Sequence, residues 1–173
     1  MALDTEIGGA DSDSYGTLEE AEDYADAIGQ STWLESTYTD DERDQAMRRA
    51  CQALDGGYRK RFPGTKVYGR EQALEWPRVD AYDCEGDEID PETIPPEIKK
   101  AQFELAFREL TSPGSLTPDV VLAQAKVLTK VGSVEWDPLA TSASAGTLTP
   151  TITKVNDLLG CILRSVGHFL TRA

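Results

Sequence analysis

The stretch IPPEIKKAQFELAFREL, residues 94–110, constrains the fold more than any other. Pro96 fits the first turn of a helix, where a missing amide proton costs nothing. Beyond it, Ile98, Ala101, Phe103, Leu105, Ala106, Phe107 and Leu110 carry apolar surface round more than one side of that helix. Such a helix needs neighbours on several sides, so the chain must supply other amphipathic helices to cover it. Two are legible upstream. TLEEAEDYADAIG (17–29) opens with a capping box, Thr17 with Glu20, presents Leu18, Ala21, Tyr24, Ala25 and Ile28 on one face, and stops at Gly29. A second box, Thr39 with Glu42, starts DDERDQAMRRACQALDGG, whose stripe is Ala46, Met47, Ala50, Cys51 and Leu54 and whose expected end is Gly56-Gly57. Trp33 and Tyr38 sit in the connection between these helices.

The chain of 173 residues is long enough for one compact domain with a real core. The expected class is mainly α: a small bundle of about four helices with long loops, a short extended segment and a C-terminal arm or helix. Residues 1–16 read as a flexible acidic leader, 17–111 as the helical core, 112–151 as a linker holding an extended segment, and 152–173 as a C-terminal docking helix or arm. Within the linker, KVLTKVGSVEW reads as extended with Gly132 as a bend. Between the second and third helices, a short segment from Gln72 to Trp76 is expected to be helix-like and to end at Pro77, since the residue before a proline disfavours helix.

The formal net charge of −14 argues against general affinity for DNA or anionic membranes, because neutralising phosphates takes an excess of Lys and Arg. A local basic face could still hold a strand. No apolar run approaches the ~18 residues of a membrane-spanning helix, and the acidic start is unlike a signal peptide. The three cysteines, Cys51, Cys84 and Cys161, are odd in number and far apart, with no CxxC, which reads as reduced thiols in a cytosolic product.

Catalytic chemistry finds no foothold. With Gly86 on the obligatory glycine of a calcium loop, Asp83, Glu85, Asp87 and Glu92 fall on ligand positions. The first ligand position is then Ala81, and the apolar slot after Asp87 is Glu88. The better reading of DCEGDEI is a hairpin-like turn with Gly86 at positive φ. The lone His168 has no nucleophile elbow near it and no zinc-ligand spacing. There is no phosphate-cradling glycine motif either. The chain reads as not an enzyme, with no catalytic residue, metal or cofactor.

Two segments stand out as interaction candidates. In YRKRFPGTKVYGR (58–70), Arg59, Lys60, Arg61, Lys66 and Arg70 interleave with Tyr58, Phe62 and Tyr68, and Arg78 follows. Cations with rings suit a single-strand binder and equally a protein interface. The acidic N-terminal third could attract this loop on a neighbouring subunit, a head-to-tail contact of the kind that closes rings. The C-terminal segment offers Val155, Leu158, Leu159, Ile162, Leu163, Val166 and Phe169 at helical spacing. It either docks on a partner groove or folds back on the core.

The ordered series YGTLEEAEDYADA, AMRRACQALD, QALEWPR, DCEGDEI, IPPEIKKAQFELA, KVGSVEW and DLLGCIL resembles the head–tail connector (adaptor) proteins of tailed bacteriophages. That family is also labelled DnaT-like single-stranded-DNA-binding proteins. The match covers most of residues 14–165, and its sharpest parts are QALEWPR and IPPEIKKAQFELA. The resemblance implies a helical core, a homo-oligomeric ring of about twelve copies beneath the portal ring, and a partner among downstream neck or tail proteins. It implies double-stranded DNA passing through the channel without sequence specificity, and a place at the virion neck after synthesis in the host cytoplasm. In that setting Tyr58, Arg59, Lys60, Arg61, Lys66, Tyr68, Arg70 and Arg78 would face DNA, the portal or a neighbouring chain, and the KVGSVEW region and the C-terminal apolar residues would make contacts between subunits or with the portal. Trp76-Pro77-Arg78 reads as structural.

Overall fold

The computed structural model describes residues 2–117 and 152–164 in full, and residues 126–130 and 135–138 as strand backbone. In chain order the described elements are α1 (Leu18–Ile28), α2 (Ser31–Leu34), α3 (Asp40–Tyr58), β1 (Thr65–Lys66), β2 (Arg78–Val79), α4 (Pro96–Thr111), β3 (Lys126–Lys130), β4 (Glu135–Pro138) and α5 (Thr153–Leu159). The protein is mainly helical, as the sequence predicts, with α2 as an extra short turn that buries Trp33. Met1–Leu116 and Ile152–Ala173 belong to one compact unit, and Thr117–Thr151 forms a second.

In the first unit α4 is the central helix. It packs against α3, α5, α1 and α2, and all seven apolar residues expected to surround it are buried. Its neighbours present most of the stripes their sequences predict: Ala21 and Ala25 from α1, with Leu18 and Tyr24 partly buried, Ala46, Met47, Ala50, Cys51 and Leu54 from α3, Val155 and Leu159 from α5; Ile28, expected on the α1 stripe, is exposed at the helix end. Aromatic rings seal the α1–α2–α4 corner, with Trp33 and Phe107 at 4.9 Å between centroids and Tyr24 stacked at 6.2 Å on Phe107. Rings in such contact add about 0.5–1.5 kcal/mol beyond the area they bury. Both capping boxes form. Thr17 accepts the Glu20 amide while the Glu20 carboxylate accepts the Thr17 amide, and Thr39 and Glu42 repeat the pattern.

Four local expectations need correction. The leader is not a flexible appendage: Ser12, Ser14, Tyr15 and Gly16 are buried. Gln102 of α4 holds it, accepting the Tyr15 amide at 3.0 Å and donating to Ser14 Oγ at 2.8 Å and to the Met47 carbonyl at 3.1 Å. Helix α3 runs through Gly56-Gly57 and ends at Tyr58, because these glycines face open space and helical backbone is allowed to them. Residues 72–76 are irregular rather than helical. They lead through a cis Trp76–Pro77 bond into β2, which pairs antiparallel with β1. Finally, Cys84 and Cys161 are not free thiols: they form a disulfide with Cα atoms 4.7 Å apart, and Cys51 is the buried free cysteine. A spacing of 77 residues hides such a pair, since only the fold brings the two together.

In the second unit β3 and β4 pair antiparallel, Leu128 opposite Trp136, with a register irregularity between Leu128 and Lys130. The extended reading of 126–136 thus holds where backbone is described, while the Gly132 bend lies outside the described residues.

Candidate interaction surface

The loop from Tyr58 to Val79 is organised from inside by one carboxylate, Glu75. Arg78 Nη1 donates to Glu75 Oε2 at 3.0 Å, Lys66 Nζ lies 3.5 Å from Oε1, and Arg59 Nε lies 3.8 Å away. Arg78 is itself buried and donates further to the carbonyls of Pro63, Gly64 and Glu75. Gly64 is required there, because at φ 63° a Cβ would stand 2.1 Å from the Val79 carbonyl oxygen. Arg78, read both as a structural arginine for a carboxylate and as a candidate to face DNA or a neighbour, takes the first role, a clamp between the two ends of this loop. Lys66 is partly drawn in too, donating to the Gln72 carbonyl at 3.2 Å.

Beneath Glu75 lies a buried polar node. Tyr15 donates its hydroxyl to Asp55 Oδ1 at 2.5 Å and accepts the amides of Glu75 and Trp76 at 3.0 and 3.3 Å. Asp55 Oδ2 accepts the Glu75 amide at 3.0 Å. Burial raises the Asp55 carboxyl from 3.8 to about 6, against the pull of the Tyr15 and Glu75 hydrogen bonds. Burial likewise pushes the Tyr15 phenol well up, with Asp55 adding to it. The leader, α3 and the Trp76 loop are thereby joined at one point.

The remaining residues of the basic loop divide between core and surface. The Tyr58 hydroxyl donates to Asn156 Oδ1 of α5 at 2.7 Å, and Phe62 is buried edge-on to Trp76 at 5.7 Å. Tyr68 is 58% exposed. Lys60 and Arg70 are exposed, and no ion pair reaches them among the described residues. Arg61 lies over the Tyr58 ring at 5.8 Å, with its Nε buried and without a hydrogen-bond partner. It opens onto a groove of about 400 Å³ walled by Pro63, Tyr82, the Cys84–Cys161 disulfide and Arg164. The Arg164 amide donates to the Arg61 carbonyl at 2.8 Å.

The acidic segment forms the expected turn. Tyr82 and Glu88 bridge, Ile89 N–H donates to the Ala81 carbonyl at 2.8 Å, and Gly86 has φ 94°. Asp83 Oδ1 accepts the amides of Glu85, Gly86 and Asp87, each at 2.9 Å, which holds that carboxyl below its ordinary value. Its carboxylate caps the turn. The C-terminal segment folds back: Val155, Leu159, Ile162 and Leu163 are buried in the core of their own unit, Leu158 is half-buried, and helix α5 ends at Leu159. These residues are thus not a free docking face: α5 packs on α4, and Ile162 and Leu163 belong to the same buried core. Val166, His168 and Phe169 lie outside the described residues.

A family model described as "Putative DnaT-like ssDNA binding protein" matches residues 1–173. The chain belongs to that family. Comparison with curated proteins and with solved structures returned no match.

The sequence did carry a faint signal of the node and the leader anchor. Asp55 continues the Cys51 stripe at i+4, and Gln102 stands inside the apolar run of α4. A polar residue at a core position demands a buried partner. For the disulfide no such signal exists.

Proposed function

We propose that this chain is a structural protein of a tailed-phage virion, a head–tail adaptor that assembles as a ring beneath the portal, extends the DNA channel and joins capsid to neck or tail. The single observation that carries the reading is the fate of the basic loop. Glu75 gathers Arg59, Lys66 and Arg78, so three of the cations that would track a phosphate backbone instead brace this loop from inside. A loop braced in this way suits a scaffold that presents surfaces to other proteins. The resemblance of the ordered motifs to the connector proteins supports it further, as does a net charge of −14, which would let DNA slide past an acidic wall. The test is sedimentation velocity of the labelled chain with purified portal rings from the same virus. Co-sedimentation saturating near one chain per portal subunit is the expected result; a chain that ignores the portal refutes it.

A second reading, single-stranded-DNA binding by the 58–70 loop, is favoured by the description of the family model. Lys60, Arg70 and the exposed Tyr68 are the groups available for phosphates and base stacking. It requires salt-sensitive oligonucleotide binding that falls when Arg59, Lys60 and Arg61 become Ala. Binding unchanged in that triple variant removes it.

A further inference from the structure

We infer that the groove of Arg61 and Arg164 receives the acidic face of α1 from a second copy of this chain, in a head-to-tail contact. The inference rests on the self-assembly proposed above and names the two surfaces that would make it. The groove lies at the end of α3, where the Arg164 amide bonds the Arg61 carbonyl and the Cys84–Cys161 disulfide fixes one wall. Neither guanidinium meets a carboxylate among the described residues. Arg61 lies over the Tyr58 ring at 5.8 Å, and Arg164 is exposed. The one carboxylate in the wall, Asp83, is already held by three amides.

Paired guanidinium forks select carboxylates or phosphates. A folded surface of carboxylates meets that requirement without a phosphate backbone. The chain carries one. Glu19, Asp23 and Asp26 stand at i, i+4 and i+7 on α1, all exposed, on the side away from the buried Ala21 and Ala25. None has an ion-pair partner among the described residues. Their mutual repulsion destabilises the free surface and is relieved by cations from elsewhere.

A chain does not supply those cations to itself. Glu22, beside the stripe, pairs with Arg43 near the start of α3 at 3.6 Å. The groove follows the other end of that helix, beyond Tyr58. Fifteen residues of α-helix separate Arg43 from Tyr58, about 22 Å at 1.5 Å per residue. Stripe and groove of one chain therefore face different neighbours, which makes the contact heterologous: it propagates from copy to copy and closes a ring when the rotation allows.

The test uses two neutralised full-length variants, R61A/R164A and E19Q/D23N/D26N, with circular dichroism confirming that both keep the wild-type fold. Sedimentation velocity at low salt reads association of wild type, each variant alone, and their equimolar mixture. The expected result is salt-sensitive association of wild type, weakened at least roughly tenfold in each variant. The mixture, holding one intact stripe and one intact groove, forms a one-to-one complex that grows no further. If wild type associates and neither variant changes it, this contact is wrong while self-assembly stands. If wild type stays monomeric at every concentration and on portal rings, both fall. Loss of oligonucleotide binding in R61A/R164A, with association untouched, assigns the groove to nucleic acid and overturns the proposal.

Discussion

Replacing Asp55 by Asn isolates the buried node that joins the leader to α3 and the Trp76 loop. In the folded chain this carboxyl titrates at about 6, against an ordinary 3.8. Between those values the folded chain holds a proton that the unfolded chain has released, so stability falls as pH rises through the window and stays low above it. The gap of about two pH units, at about 1.4 kcal/mol each, is a total of about 3 kcal/mol, of which about 1 falls between pH 5 and 7. Glu20, Glu42 and Asp83 carry carboxyls held below their ordinary values. Their stability is lost only as pH falls beneath ordinary carboxyl values, outside this interval. Urea unfolding of wild type and D55N at pH 5 and pH 7 is the assay. Wild type should be more stable at pH 5 by about 1 kcal/mol relative to the change in D55N. Identical pH dependences, or a wild type that gains stability toward pH 7 relative to the variant, refute the assignment of a costly buried charge to this node.

Reduction of Cys84–Cys161, or C84S, releases a loop of 77 residues. The chain-entropy model sets the loss at up to about 4.5 kcal/mol, read as a lowered urea midpoint that excess reductant reproduces in wild type and not in C84S. Q102L leaves the Tyr15 amide without its acceptor and takes a donor from Ser14 Oγ, which keeps its bond to the Gly16 carbonyl. It should cost about 2–4 kcal/mol and expose the leader to limited proteolysis, followed by mass spectrometry. T39A removes one capping box of α3 and should cost about 1 kcal/mol by thermal melting without altering proteolysis of the leader.

Much of the helical frame was determined locally. Thr17 with Glu20 and Thr39 with Glu42 set the helix starts because a cap satisfies amides within its own turn, and the α4 run announced a central helix because apolar surface on several sides needs several neighbours. Turn chemistry at Gly86 was legible for the same reason, since φ and the Asp83 side chain act within a few residues. What only the tertiary structure decided are the partners at long sequence separation: Cys84 with Cys161, Gln102 with the leader, Glu75 at the centre of three cations, Tyr15 on Asp55. A single sequence shows that Arg59, Lys66 and Arg78 are basic, but whether they face a ligand or an internal carboxylate depends on where the chain places Glu75. The candidate surface shrank for that physical reason. Charge is written in the sequence, and its availability is fixed by the distance to the nearest opposite charge in the folded chain.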